Sequence, residues 1–268
     1  MNAKEIEGFG VTYDRMMMSE LHKILTQKYN LRSALEIPSF GAKAAPSLYS
    51  LGFARMGVDV TVVDFDENMR KYWESLNLLD RLTIEKQQDY YNTNFENNSF
   101  DIAWNFVTFS YLEDTEAVLK EMVRTSKKYI LIISCNNFQL GYPWHRVLHK
   151  IWNIEWNHGD TYYNYAWNLK KSLRKHGCKI AEYGTIDSPP WPDPVGFRDI
   201  RLHKKKMEIT LNSDQEHIEW DVPFVEYFKT EDYPLWMRLL RIYDVALHRY
   251  YFKLPFSHLF YIVAEKES

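Results

Sequence analysis

The stretch ALEIPSFGAKAAPSLYSLGFARMGVDVTVVD, residues 34–64, decides the fold. It opens on a short apolar run, Ala34-Leu35-Glu36-Ile37, that carries a carboxylate near its end. It closes on a second run, Val60-Thr61-Val62-Val63, that ends on Asp64. Between them lie a turn of small residues and a segment of helical pattern. Two continuous apolar runs joined in this way read as a βαβ unit whose strands are buried on both faces. Ligands of such sheets bind outside the carboxyl ends of the strands, where Glu36 and Asp64 fall. An acid ending the second strand is placed to accept hydrogen bonds from both hydroxyls of a ribose. The pair therefore points to a nucleoside-containing cofactor. The plainer reading is an ordinary turn with solvated acids.

The alternation continues on both sides. Upstream, Tyr13, Met16, Met17, Leu21, Ile24, Leu25 and Tyr29 have helical spacing and predict an amphipathic helix leading into the sheet. The Met16-Met17-Met18 cluster suits core packing, with a ligand entrance as the other reading. Downstream, Asp66 is placed to cap a helix reaching about Leu79. Residues 82–85, 99–106 and 129–133 read as further strands, with a helix over 115–127 between the last two. Strands and helices in strict alternation predict an α/β protein with a parallel sheet.

Composition narrows the function classes. A chain of 268 residues that is 46% hydrophobic and 26% charged buries a real core. A formal net charge of −3 gives no electrostatic reason for a nucleic-acid partner. The two cysteines, Cys135 and Cys178, lack metal-ligand spacing and fit a reducing compartment, so a cytoplasmic location is expected. The N-terminus lacks the apolar core of a signal peptide, and no run approaches a membrane span.

In order and spacing, LEIPSFGAKA, VTVVDFDENM, IEKQQDYYN, NSFDIAWNFVTFSYLED and AVLKEMVRTSKKYILIIS resemble a class I S-adenosylmethionine-dependent methyltransferase over roughly residues 30–136. The resemblance resumes near Asn157-His158-Gly159-Asp160, in a helix at about 162–176 and a strand over 178–187, and at the final strand, Leu259–Ala264. It implies a Rossmann-like, doubly wound, mostly parallel seven-stranded sheet with helices on both faces, the last two strands forming an antiparallel pair. It also implies S-adenosylmethionine as cofactor. Carried over by position, Glu36 orients the methionine end of that cofactor, Asp64 binds the ribose and Phe65 lies against the adenine. Asp89 sits near the adenine amino group with Tyr90 beside it, and Asn105 and Phe106 border the transferable methyl. The family's glycine-rich loop is altered: Pro38, Phe40 and Ala42 stand where glycine is usual, and only Gly41 supplies permissive backbone. Pro38 and Gly41 are still expected at the cofactor.

The remaining residues are expected to choose the substrate. Trp144, Val147, Leu148, Ile151, Trp152 and Trp156 have helical spacing, and a segment inserted there lies over the strand ends in this fold. Trp144 and His145 are the substrate-side candidates. His145 and His149, four apart, share a helix face as metal ligands do, but with no HExxH pattern or companion acid no metal is expected. His158 is the candidate general base, with capping of a turn as the plain alternative. Four prolines between 189 and 194 stiffen the path around Trp191 and Asp193, two further substrate-side candidates. The domain plan is an N-terminal helix (1–30), a core (31–188 and 257–268) and an aromatic-rich inserted lid (189–256). The function expected is methyl transfer to a small, aromatic or lipid-like molecule. The alternative is a catalytically inactive protein that keeps the fold for binding or assembly.

Overall fold

Ala34, Val60, Val62, Ile102, Trp104, Leu131 and Ile133 enter one apolar layer, while their sequence neighbours Leu35, Val63, Ala103, Ile130 and Ile132 enter another. Successive side chains of a strand point to opposite faces, so runs that are apolar throughout must be covered on both. The computed structural model describes residues 3–6, 9–40, 45–86, 89–153, 156, 158–188, 218–246 and 251–267. Its strands are β1 (Ala3–Ile6), β2 (Ser33–Glu36), β3 (Asp59–Val63), β4 (Leu82–Glu85), β5 (Phe100–Phe106), β6 (Ser126–Cys135), β7 (Cys178–Ile186), β8 (Ile218–Asp221) and β9 (Leu259–Lys266). Seven of them form one sheet in the order β4-β3-β2-β5-β6-β9-β7. Only β9 is antiparallel to its neighbours, pairing Tyr129 with Glu265 on one side and Cys178 with Lys266 on the other. The seven-stranded, mostly parallel sheet expected from the sequence is therefore present, including its antiparallel last pair.

Helices cover both faces. The first layer is closed by α1 (Phe9–Tyr29), α2 (Leu51–Arg55) and α3 (Arg70–Ser75), and the second by α4 (Thr115–Thr125) and α6 (Ala166–Lys175). Between the last two lies α5 (Tyr142–Ile151). Met16, Met17 and Met18 are all buried, so the methionine cluster is core. Asp114 caps α4 by accepting from the Ala117 amide, and Val118, Leu119 and Met122 bury its inner face. The helix expected from Asp66 to Leu79 is shorter: Asp66 caps a 3₁₀ turn over Glu67–Met69, and α3 follows.

Two features beyond the sequence reading involve the insertion. β1 and β8 pair in parallel, Ala3 with Ile218 through Ile6 with Asp221. A helix α7 (Pro223–Thr230) precedes α8 (Leu235–Ala246), and Phe224, Val225, Phe228 and Met237 join the first apolar layer. The Arg55 guanidinium lies 3.4 Å over the Phe228 ring and donates to the Phe228 carbonyl. Asp244 of α8 ties four segments together. It accepts from Tyr13 Oη at 2.6 Å, from the Ser188 amide at 3.2 Å and from Lys253 Nζ at 2.7 Å, and both Asp244 and Lys253 are fully buried. Among the described residues no helix is long and apolar enough to cross a membrane.

A buried ion pair with satisfied hydrogen bonds is tolerated, but removing one partner strands a charge. Lys253→Met is expected to lower stability by about 3–5 kcal/mol, read from denaturant unfolding. A second expectation concerns His22 of α1, which is fully buried, stacks 3.8 Å from the Phe53 ring and has neither ring nitrogen hydrogen-bonded among the described residues. Burial pushes it down from 6.5 to about 3. Between those values the unfolded chain binds a proton that the folded chain refuses. Stability therefore falls as pH drops below 6.5, by about 1.4 kcal/mol per pH unit from this group. Unfolding midpoints at a series of pH values are expected to fall less steeply for His22→Leu than for the natural chain.

Candidate active site

From β2 the sheet continues to β3 and β4 on one side and to β5 on the other, so chain order reverses between β2 and β5. In open α/β sheets a crevice forms at the carboxyl ends where this happens. The loop leaving β2 is laced across it. The Ile37 amide donates to the Trp104 carbonyl at 3.1 Å, and Asn105 Nδ2 donates to the Ile37 carbonyl at 2.8 Å and to Thr108 Oγ1 at 2.6 Å. Asn105 is fully buried, so its amide braces the crevice. Phe106 is also buried, its ring 4.4 Å from that of Tyr49.

Glu36 ends β2 with 1% of its surface exposed. Its carboxylate accepts from Ser50 Oγ at 2.6 Å, and Ser50 Oγ in turn accepts from Trp104 Nε1 at 3.0 Å. Burial pushes the carboxyl up to about 7, against hydrogen bonds from Ser50 and Ser39 and the charge of Arg15, which pull it down. Arg15 is a buried contribution of α1, donating to the Ala45 carbonyl at 2.7 Å and lying 4.6 Å from the Tyr49 ring centre.

The altered glycine loop is held by other means. Pro38 follows a cis peptide bond, the Ser39 amide donates to the Val63 carbonyl at 2.9 Å, and Ser39 Oγ donates to Ser47 Oγ at 3.1 Å. Ala45 (φ 47°) and Ser47 (φ 61°) take the left-handed conformation usually left to glycine. Gly41 lies outside the described residues. The Phe40 ring is 6.1 Å from that of Tyr90.

Asp64 follows β3, also left-handed at φ 66°, with its amide donating to the Glu85 carbonyl at 3.1 Å. Its residue surface is open to solvent, yet the protein around it desolvates the carboxyl enough to raise it above its ordinary value. Phe65 is buried in the first apolar layer. After β4, exposed Asp89 caps a turn, its Oδ1 accepting from the Tyr91 and Asn92 amides at 2.9 and 3.2 Å. Burial raises the half-buried Tyr90 hydroxyl, and the nearby Tyr91 and Asp64 add to the shift. Glu36, Asp64, Asp89 and Tyr90 thus stand at the carboxyl ends of three adjacent strands.

The opposite wall is built on the turn over Phe109–Tyr111 that follows β5. The Asp160 amide donates to the Ser110 carbonyl at 2.8 Å, and Ser110 Oγ and Ser134 Oγ both donate to Asn164 Oδ1, at 3.1 and 3.0 Å. Gly159 is left-handed at φ 62°, and a Cβ there would stand 1.9 Å from the Ser110 carbonyl oxygen, so only glycine permits this docking. His158 is thereby fixed against α5. Its Nε2 lies 2.9 Å from His145 Nε2 and 3.3 Å from His149 Nε2, and the Trp156 ring is 4.7 Å away. Burial, with the neighbouring His149, pushes His158 down to about 4. Trp144 is 63% exposed. Trp191 and Asp193 lie outside the described residues.

The sequence reading named the acids of this site but not their supports. Ser50 and Trp104 meet Glu36 from 14 and 68 residues away, and Arg15 approaches from α1. No local pattern encodes such contacts. The i, i+4 histidines were visible; their meeting with His158 was not.

Residues 44–132 match the family model of a methyltransferase domain. A comparison with curated protein sequences gives no match. Among solved structures, the chain resembles the [4+2]-cyclase SpnF with TM-score 0.54 at 14% identity, covering 92% of this chain and 80% of that one. It also resembles an S-adenosylmethionine-dependent methyltransferase of Thermotoga maritima, with TM-score 0.53 at 15% identity, covering 96% and 92% of the two chains. At such identities the structural likeness is one of fold. The matched domain runs from the loop after β2 into β6 and spans Asp64, Asp89 and Asn105. Residues 44–132 thus match a methyltransferase domain and lie within a seven-stranded, mostly parallel, Rossmann-like sheet.

Proposed function

We propose that the protein transfers a methyl group from S-adenosylmethionine to a small aromatic or lipid-like molecule. The observation that carries the cofactor part is the row of Glu36, Asp64 and Asp89 at the carboxyl ends of β2, β3 and β4. These residues fit the group. Exposed Asp64 presents acceptors for two ribose hydroxyls. Half-buried Tyr90 and Phe40 offer apolar surface for a purine, whereas Phe65, expected there from the sequence, is buried in the core. Desolvated Glu36, raised to about 7, gains from a cation at the switch point, which matches the ammonium of the methionine end. When bound, the cofactor supplies an electrophilic methyl on a sulfonium. Pro38 shapes the loop beside it, and buried Asn105 braces that loop from the end of β5.

For the acceptor, the chain's task is to hold it in line and exclude water. His158 is neutral at pH 7, so its ring has a lone pair to take a proton from an acceptor that must lose one. Trp144 and His145 of α5 stand on the acceptor side, and Trp191 and Asp193 remain the candidates from the insertion. Phe138, Leu140, Trp144 and Ile151 are all more than half exposed in this segment, apolar surface that an apolar acceptor would cover.

Asp64→Ala removes a charge-assisted acceptor. It is expected to weaken S-adenosylmethionine binding by about 1.5–3 kcal/mol, roughly ten- to hundredfold in Kd by calorimetry. An unchanged Kd would place the ribose elsewhere. The Glu36 carboxyl gives a pH signature. A bound ammonium favours its ionised form, so the bound-state pKa lies below the free value of about 7. Affinity is then expected to rise with pH by up to about tenfold per unit below 7 and to level off above it. In Glu36→Gln this slope is absent.

A further inference from the structure

Three imidazoles meet at one point beside the acceptor wall, an arrangement the sequence reading did not foresee. His145 and His149 are one turn apart on α5 and share a face. His158 is brought to them by the glycine-dependent docking of Gly159 on the Ser110 carbonyl. The three meet through like atoms: His158 Nε2 lies 2.9 Å from His145 Nε2 and 3.3 Å from His149 Nε2. One ligand atom from each ring lies within 4.8 Å of both others. A zinc ion bound tetrahedrally through bonds of about 2.05 Å would separate its nitrogens by about 3.3 Å. The closest pair would open by a few tenths of an ångström, and no pair is more than 4.8 Å apart.

We infer that His145, His149 and His158 form a binding site for a divalent transition-metal ion of the zinc class. A hydrogen-bonded imidazole pair needs two facing nitrogens; a third on the same point has no role in such a pair, whereas an ion uses all three. Coordination through Nε2 leaves each Nδ1 available for an orienting hydrogen bond, as in zinc sites generally. Nitrogen-only ligands select zinc and its first-row neighbours over magnesium or calcium. His149 is buried and the other two rings are half-buried, so the donors are held by packing as well as by the backbone. Among the described residues the group has three such members, which leaves a fourth position for water or for an oxygen or nitrogen of a ligand. Metal binding itself requires neither the cofactor nor methyl transfer, and while His158 Nε2 holds an ion it does not act as a base.

The test uses the full chain without an affinity tag, stripped with a chelator and dialysed. Zinc chloride is titrated by calorimetry, and cobalt chloride by visible absorption. The expected result is one ion per chain at micromolar affinity or tighter, with the intense visible bands of tetrahedral cobalt. His149→Ala and His158→Ala are expected to lose at least tenfold in affinity, with folding checked by circular dichroism. X-ray absorption at the zinc edge of the natural chain serves where a variant does not fold, and is expected to show three imidazole nitrogens. Absence of binding by the natural chain, variants that bind as it does, or a zinc shell with fewer than two imidazoles would each overturn the proposal.

Discussion

Glu36 places a nearly inaccessible carboxylate at the switch point of the sheet, and desolvating an ionised group costs several kcal/mol unless other groups compensate. Much of the surrounding architecture supplies that compensation. Ser50 donates to the carboxylate, Trp104 orients Ser50, Ser39 adds a hydrogen bond and Arg15 adds a charge. Each comes from a different segment: the start of α2, strand β5, the loop after β2 and helix α1. The same residues therefore fix how α1 and α2 sit on the sheet. Even so the carboxyl stays near 7, which leaves it responsive to a ligand cation.

The altered loop shows how a glycine-rich turn is replaced. Glycine serves there because the backbone must reach the left-handed region and approach a ligand closely. In this chain Ala45 and Ser47 occupy that region. Ser47 Oγ accepts from the Asp66 amide at 2.9 Å and the Ser47 carbonyl accepts from Trp73 Nε1 at 2.9 Å, so surrounding bonds hold the strained turn. On the other wall a true glycine, Gly159, is used where no side chain fits at all.

Much of the fold was legible because buried strands and amphipathic helices impose periods of two and of 3.6 on the sequence. Val60–Val63, Ile102–Phe106 and Ile130–Ile133 are apolar on both faces and could lie nowhere but inside a covered sheet. The β1–β8 pair was not legible: four-residue strands more than two hundred residues apart carry no local signal. Nor was α7, whose eight residues hold only one short stripe, Phe224, Val225 and Phe228. In the site, residue type at a strand end was enough to nominate Glu36, Asp64 and Asp89. Their supports are tertiary: Arg15, Ser50 and Trp104 look like ordinary helix, turn and core residues until the chain folds. The buried Asp244–Lys253 pair is a similar case, since neither residue's type predicts burial.

The central claim is that the crevice at the ends of β2, β3 and β4 is the cofactor site. A crystal structure with S-adenosylhomocysteine tests it most directly. The ribose hydroxyls are expected on Asp64, the adenine against Tyr90, and the amino end toward Glu36. A nucleoside bound elsewhere, or the Phe40 ring filling that crevice in crystals soaked with the ligand, would contradict it.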